Sequence, residues 1–241
     1  MGGFSRKGGD VENANNGQLY PGMMENPQMR WAFIRKVYVL LCMQLLCSFA
    51  VGMVMFFNPT IKHFLIANPL GWVFILVACI LTLISSLLMS CFGNKHPWNY
   101  VLALLFTLSM SFMIGVACAY RRGEIVLQAA ALTVLVTAGL TLYTFWAAKR
   151  GQDFSFLGPF LLCALLVLIA FSVIRILFPM GRLGSLIAGS AAALVFSGFL
   201  IYDTDNLIKR FDYDEYLLAA TALYSDIVNL FLAFLSILDG E

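Results

Sequence analysis

The sequence predicts an all-α, polytopic membrane protein built as a seven-transmembrane-helix bundle. Three observations carry that prediction. Of 241 residues, 61% come from the set AVILMFWYC and 12% are charged, whereas a soluble domain is about half apolar and a quarter charged. The apolar residues gather in runs near the roughly 20 that a helix needs to cross a bilayer. Those runs do not alternate as the strands of a membrane β-barrel do. The lipid bilayer is therefore the first partner. A net charge of +2 with scattered basic residues excludes a nucleic-acid binder.

The spans fall at residues 37–57, 70–92, 98–120, 125–148, 154–178, 183–202 and 216–238. Gly93, Asn94 and Pro97 break the second from the third, and Pro179 and Gly181 break the fifth from the sixth. Arg175, close to the end of the fifth span, is placed to snorkel to the interface. Small residues recur along the sixth span at Gly184, Ala188 and Ala192, and at Gly189, Ala193 and Ser197, the mark of a close-packing face. Residues 1–36, rich in Gly and Asn, read as a flexible cytosolic tail without a secretory signal, which leaves residues 37–241 as the membrane domain.

Lys and Arg set the orientation. Arg6, Lys7, Arg30, Arg35, Lys36, Lys95, Lys149, Arg150, Lys209 and Arg210 fall on the side of the N-terminus, and Lys62, Arg121, Arg122 and Arg182 on the other. That bias puts the N-terminus in the cytosol. Seven crossings carry the C-terminus to the far side, and a re-entrant last segment returns it; the sequence allows both. Cys42, Cys47, Cys79, Cys91, Cys118 and Cys163 lie in spans without a CxxC spacing and read as packing residues. His63 and His96 belong to loops on opposite sides.

With so few charges, one inside a span is informative, because intramembrane carboxylates face a bundle interior or a watery cavity and mark ion or proton paths. Asp226 lies in the middle of the last span, and Asn229, three residues on, shares its helical face as a supporting polar group. Asp203 sits at the cytosolic end of the sixth span. Brought together, the two carboxylates share a proton, or bind a hard cation such as calcium when deprotonated. They are the expected pH sensor, cation site and metal ligands. Asp205, Asp212, Asp214 and Glu215 read as solvated loop charges, and Tyr224 as a packing residue.

Two stretches carry a resemblance. Residues 196–204, Phe-Ser-Gly-Phe-Leu-Ile-Tyr-Asp-Thr, and 222–232, Ala-Leu-Tyr-Ser-Asp-Ile-Val-Asn-Leu-Phe-Leu, resemble the last two helices of the transmembrane Bax-inhibitor-motif, or Lifeguard, family. Residues 153–158 fit the same pattern, while 19–23 and 30–38 look like its plant branch. The resemblance implies seven helices with the last one central. It also implies a calcium leak in the endoplasmic reticulum or another endomembrane, and suppression of programmed cell death. The aspartate pair of bacterial relatives matches Asp203 and Asp226. A gating arginine of those relatives, near the end of the second span, has no counterpart, and Lys95 is the nearest basic group.

The leading expectation is a pH-sensitive calcium leak channel with no resident cofactor, calcium being the transported or bound ion. The alternative is a non-conducting adaptor that acts on membrane-protein partners in cell-death control. An enzyme is not expected. Tyr202-Asp203 fits half of an intramembrane aspartyl protease signature, but the Gly-x-Gly before the second aspartate and the Pro-Ala-Leu after it are missing.

Overall fold

The computed structural model describes residues 18–92, 97–178 and 181–239. Its helices are α1 (Pro27–Phe57), α2 (Pro59–Ala67), α3 (Pro69–Phe92), α4 (Trp98–Ala119), α5 (Gly123–Lys149), α6 (Leu157–Leu177), α7 (Gly181–Lys209) and α8 (Tyr216–Leu238). All but the short α2 are long and apolar enough to cross a membrane, which makes seven spans.

The first three helices start alike. Asn26, Asn58 and Asn68 each precede a proline, and each side-chain oxygen accepts the backbone N–H two residues on, at 3.0, 3.1 and 3.1 Å. Asparagine satisfies an orphan donor there, and proline at the first helical position has no N–H to lose. Helix α1 consequently begins at Pro27, so residues 27–36, expected in the tail, are helical. Ahead of it, Leu19 and Met23 are buried in the core. Residues 1–17 of the expected tail lie outside the described residues, as do His96 and Lys95. His63 lies within α2 rather than a loop.

Helix α8 packs against α1, α4, α5 and α7, whereas α6 packs chiefly on α7 and α3 chiefly on α2 and α4. The last helix is central, as its sequence resemblance implies. Close approach to α7 uses the small-residue stripe: a Cβ on Gly189 would lie 2.8 Å from Ile237 Cγ1 and 3.1 Å from the Ala233 carbonyl. At the next interface, a Cβ on Gly158 of α6 would lie 2.9 Å from the Tyr202 hydroxyl of α7. Arg175 ends on α7, where its Nη2 donates to Ser185 Oγ at 2.7 Å.

The two ends of the bundle are distinct. At one, Arg30 and Lys36 of α1 meet the α7–α8 connection and Tyr216. At the other, Arg121 pairs with Asp239, which follows α8. The 23 residues of α8 span roughly 34 Å at 1.5 Å per residue. That length is enough for a full crossing, and the two ends of α8 meet opposite ends of the bundle.

Candidate functional site

Helix α7 runs to Lys209, past residue 202 where the hydropathy of the span fades. Asp203 is therefore inside a helix, half-buried and facing α8, instead of at a solvated edge. Asp226 is 6% exposed. The two carboxyl groups come close to each other where α7 meets α8, with Asn206 also near Asp203. Carboxylates have only acceptors and like charges repel, so carboxyl groups this close favour one proton shared between them. Asp226 Oδ2 is buried with no hydrogen-bond partner among the described residues.

Both aspartates line a cavity of about 280 Å³. Ser86, Met89 and Ser90 of α3, Phe106 of α4 and Leu165 of α6 form one side; Phe196 and Phe199 of α7, with Leu218, Thr221, Ala222 and Ser225 of α8, form the other. Among the described residues on these walls, Asp203 and Asp226 alone are charged. The α3 wall presents Ser86, Met89 and Ser90, in keeping with the absence of a gating arginine from this span. Asn229 donates to the Ser225 carbonyl at 2.9 Å and to Ser225 Oγ at 3.2 Å, so it backs a lining residue one turn away. Among the described residues, no cluster of three or more His, Cys, Asp or Glu is placed to hold a metal ion.

Asp205 corrects the expectation of a loop charge. It is 1% exposed, pairs with Lys209 at 2.5 Å and accepts the Phe154 N–H at 3.2 Å. Lys209 in turn donates to the Gln152 carbonyl, and Arg210 pairs with Asp153 at 3.1 Å. The α5–α6 loop is thereby clasped to the end of α7. Some desolvation works against ionised Asp153, but bonds from the Ser155 N–H and hydroxyl, with the Arg210 and Lys209 charges, hold its carboxyl below the usual carboxylate value. The i,i+4 spacing of Asp205 and Lys209 was the available sign that the helix continues.

A second polar feature escaped sequence reasoning. The Tyr224 hydroxyl lies 2.6 Å from Ser48 Oγ, which lies 2.9 Å from Ser111 Oγ. Gln44 Nε2 donates to Thr107 Oγ1 at 3.0 Å, with a longer contact of 3.5 Å to Thr221. These groups join α1, α4 and α8, as hydroxyls and amides do where no water is present. Tyr224 is thus a bonded member of this seam as well as a packing residue.

Fold and site together define a polytopic helical membrane protein with two carboxyl groups in one cavity beside its central helix. The family profile described as "Inhibitor of apoptosis-promoting Bax1" matches residues 30–241, and the chain belongs to this Bax-inhibitor-motif, or Lifeguard, family. It is similar to "Protein LIFEGUARD 4" of Arabidopsis thaliana, 48% identical over 95% of this chain and 94% of that protein. It is also similar to the "BI1-like protein" of the same plant, at 48% over 99% and 94% of the two chains. The "Golgi anti-apoptotic protein" of Vaccinia virus (strain Lister) is 36% identical over 88% of this chain and 86% of its own.

Proposed function

We propose that this protein is a pH-sensitive calcium leak of an intracellular membrane, which lowers stored calcium and so suppresses programmed cell death. The observation that carries the reading is the contact between Asp203 and Asp226 in a cavity whose described walls hold no balancing cation. A shared proton joins α7 to α8. Its loss leaves two carboxylates that repel each other and attract a hard cation. Calcium takes six to eight oxygens, so two carboxylates and wall hydroxyls provide a weak, largely hydrated station suited to passage. The cell-death and endomembrane parts of the reading rest on relatives named for anti-apoptotic and Golgi roles and on the family description.

Calcium flux into proteoliposomes, measured across a pH series, tests this. Wild type is expected to conduct in a pH-dependent way, and Asp226→Asn to lose that dependence. Unchanged flux and an unchanged pH response in Asp226→Asn would sink the sensor role. Full cell protection by a variant without flux would instead favour the non-conducting adaptor.

A further inference from the structure

The walls of the cavity are built from a different chemistry than its two charges. Beside Asp226 stand Phe106, Phe196 and Phe199, with Met89 and Leu218 completing an apolar lining. The Phe196 and Phe199 rings are neighbours, with centroids 6.1 Å apart. An aromatic wall next to a carboxylate suits an organic ammonium better than a bare metal ion, because ring faces attract a weakly hydrated cation while the hydrocarbon part is buried. Asp226 contributes an independent sign, since its Oδ2 is buried with no hydrogen-bond partner among the described residues.

An entry route exists for such a molecule. The cavity is bordered on one side by α3, through Ser86, and on another by α6, through Leu165. These two helices do not pack on each other as their neighbours do. A seam between two membrane helices admits an amphiphile from the bilayer, with its head group reaching inward and its chain left among the lipids. About 280 Å³ is just under the roughly 300–1,000 Å³ typical of ligand pockets, room for a small head group whose chain stays outside.

We propose that this cavity is a binding site for an organic ammonium amphiphile, which sets its cationic head on Asp226 and its alkyl part against Phe196 and Phe199 after entering between α3 and α6. The site shares its carboxyl pair with the proposed calcium leak, so an occupant would block the leak. The inference rests on that reading of the pair as charged, but not on conduction.

The test uses the full chain in lipid nanodiscs, titrated calorimetrically with hexyltrimethylammonium and, in parallel, with hexanesulfonate, after subtraction of empty discs. The quaternary ion cannot exchange protons, so its charge is fixed. Saturable one-to-one binding of the ammonium and none of the sulfonate is expected. Asp226→Asn should weaken binding about tenfold, the loss of one close charge partner. Phe199→Leu should weaken it about fivefold by removing a ring face. Leu165→Trp fills the seam while leaving both carboxyl residues unsubstituted and should abolish binding. Equal binding of the two probes, or unchanged binding in Leu165→Trp, overturns the proposal even where Asp226→Asn does not fold. Binding without calcium flux in matched proteoliposomes would leave this site standing and remove the leak, and flux without binding would do the reverse.

Discussion

Arg30 Nε donates to the Ile208 carbonyl at 2.9 Å, and its Nη1 to the Phe211 carbonyl at 2.6 Å. An arginine at the start of α1 thus closes the C-terminal end of α7, five residues beyond Asp203. The side chain is 2% exposed, lies over the rings of Phe33 and Tyr213 and is 3.8 Å from Glu25. A cation at a helix C-terminus meets the negative end of the helix dipole and its unpaired carbonyls.

Arg30→Ala leaves those carbonyls without their donor. Each such loss costs about 1–3 kcal/mol, so a clear drop in the thermal unfolding temperature is expected in detergent. Arg30→Lys should recover only part of it, because one ammonium does not reproduce the two-pronged geometry. Equal stability of Arg30→Ala and wild type would refute the clamp.

Asp203 and Asp205 are two residues apart on one helix and face different partners. Asp203→Asn is expected to flatten the pH response of calcium flux with little effect on stability. Asp205→Asn keeps an acceptor for the Phe154 N–H but removes the Lys209 pair, so it should lower stability and leave the pH response in place. The two variants exchanging these phenotypes in paired flux and melting measurements would invert the assignment.

Ser48 and Tyr224 are expected to be coupled. A double-mutant cycle with Ser48→Ala and Tyr224→Phe should give an interaction of about 0.6 kcal/mol, up to about 1.7, the range for hydrogen bonds between membrane helices. Additive losses would show that the 2.6 Å contact contributes nothing measurable.

Gly189→Ala puts a methyl group 3.1 Å from the Ala233 carbonyl, which is backbone and cannot turn away. Overpacking of this kind costs about 1–3 kcal/mol. Gly52, with open space where a Cβ would stand, serves as the control: Gly52→Ala should be neutral or mildly stabilising. Equal melting temperatures for the two variants would contradict the close α7–α8 approach.

The Asp153–Arg210 pair predicts a small acid sensitivity outside the membrane. The folded protein holds the Asp153 carboxyl below its usual value. Its stabilising effect is therefore present above the unfolded value, near pH 4, and fades as pH falls through the lower folded one. Because the pair is exposed, Asp153→Asn should cost less than about 1 kcal/mol at pH 7 and progressively less as the pH falls below the usual carboxylate range. A loss that persists undiminished at the acid end would exclude this origin.

Much of the architecture was legible because the solvent imposes it. Apolar length alone located the spans, and one carboxylate in an apolar run singled out Asp226. Hydropathy is blind to where a helix begins and ends in water, so it started α1 at residue 37 and stopped α7 at 202. Asn26-Pro27 and the Asp205–Lys209 spacing held the missing information in local chemistry. The bonds of Tyr224 and the cavity beside Asp226 had no such trace. Each depends on which helices become neighbours, and that is settled only when α8 takes its place among α1, α4, α5 and α7.

The repeated Asn-Pro starts bear on how the chain is made. Helices α1, α2 and α3 carry their own start signals, whereas α4, α5, α6 and α8 begin without a side-chain cap. Synthesis runs from the N-terminus, so the self-starting helices emerge first and the dependent ones arrive into a partly formed bundle. Among the described helices the central one is made last, so the carboxyl pair comes into being only when α8 joins α7.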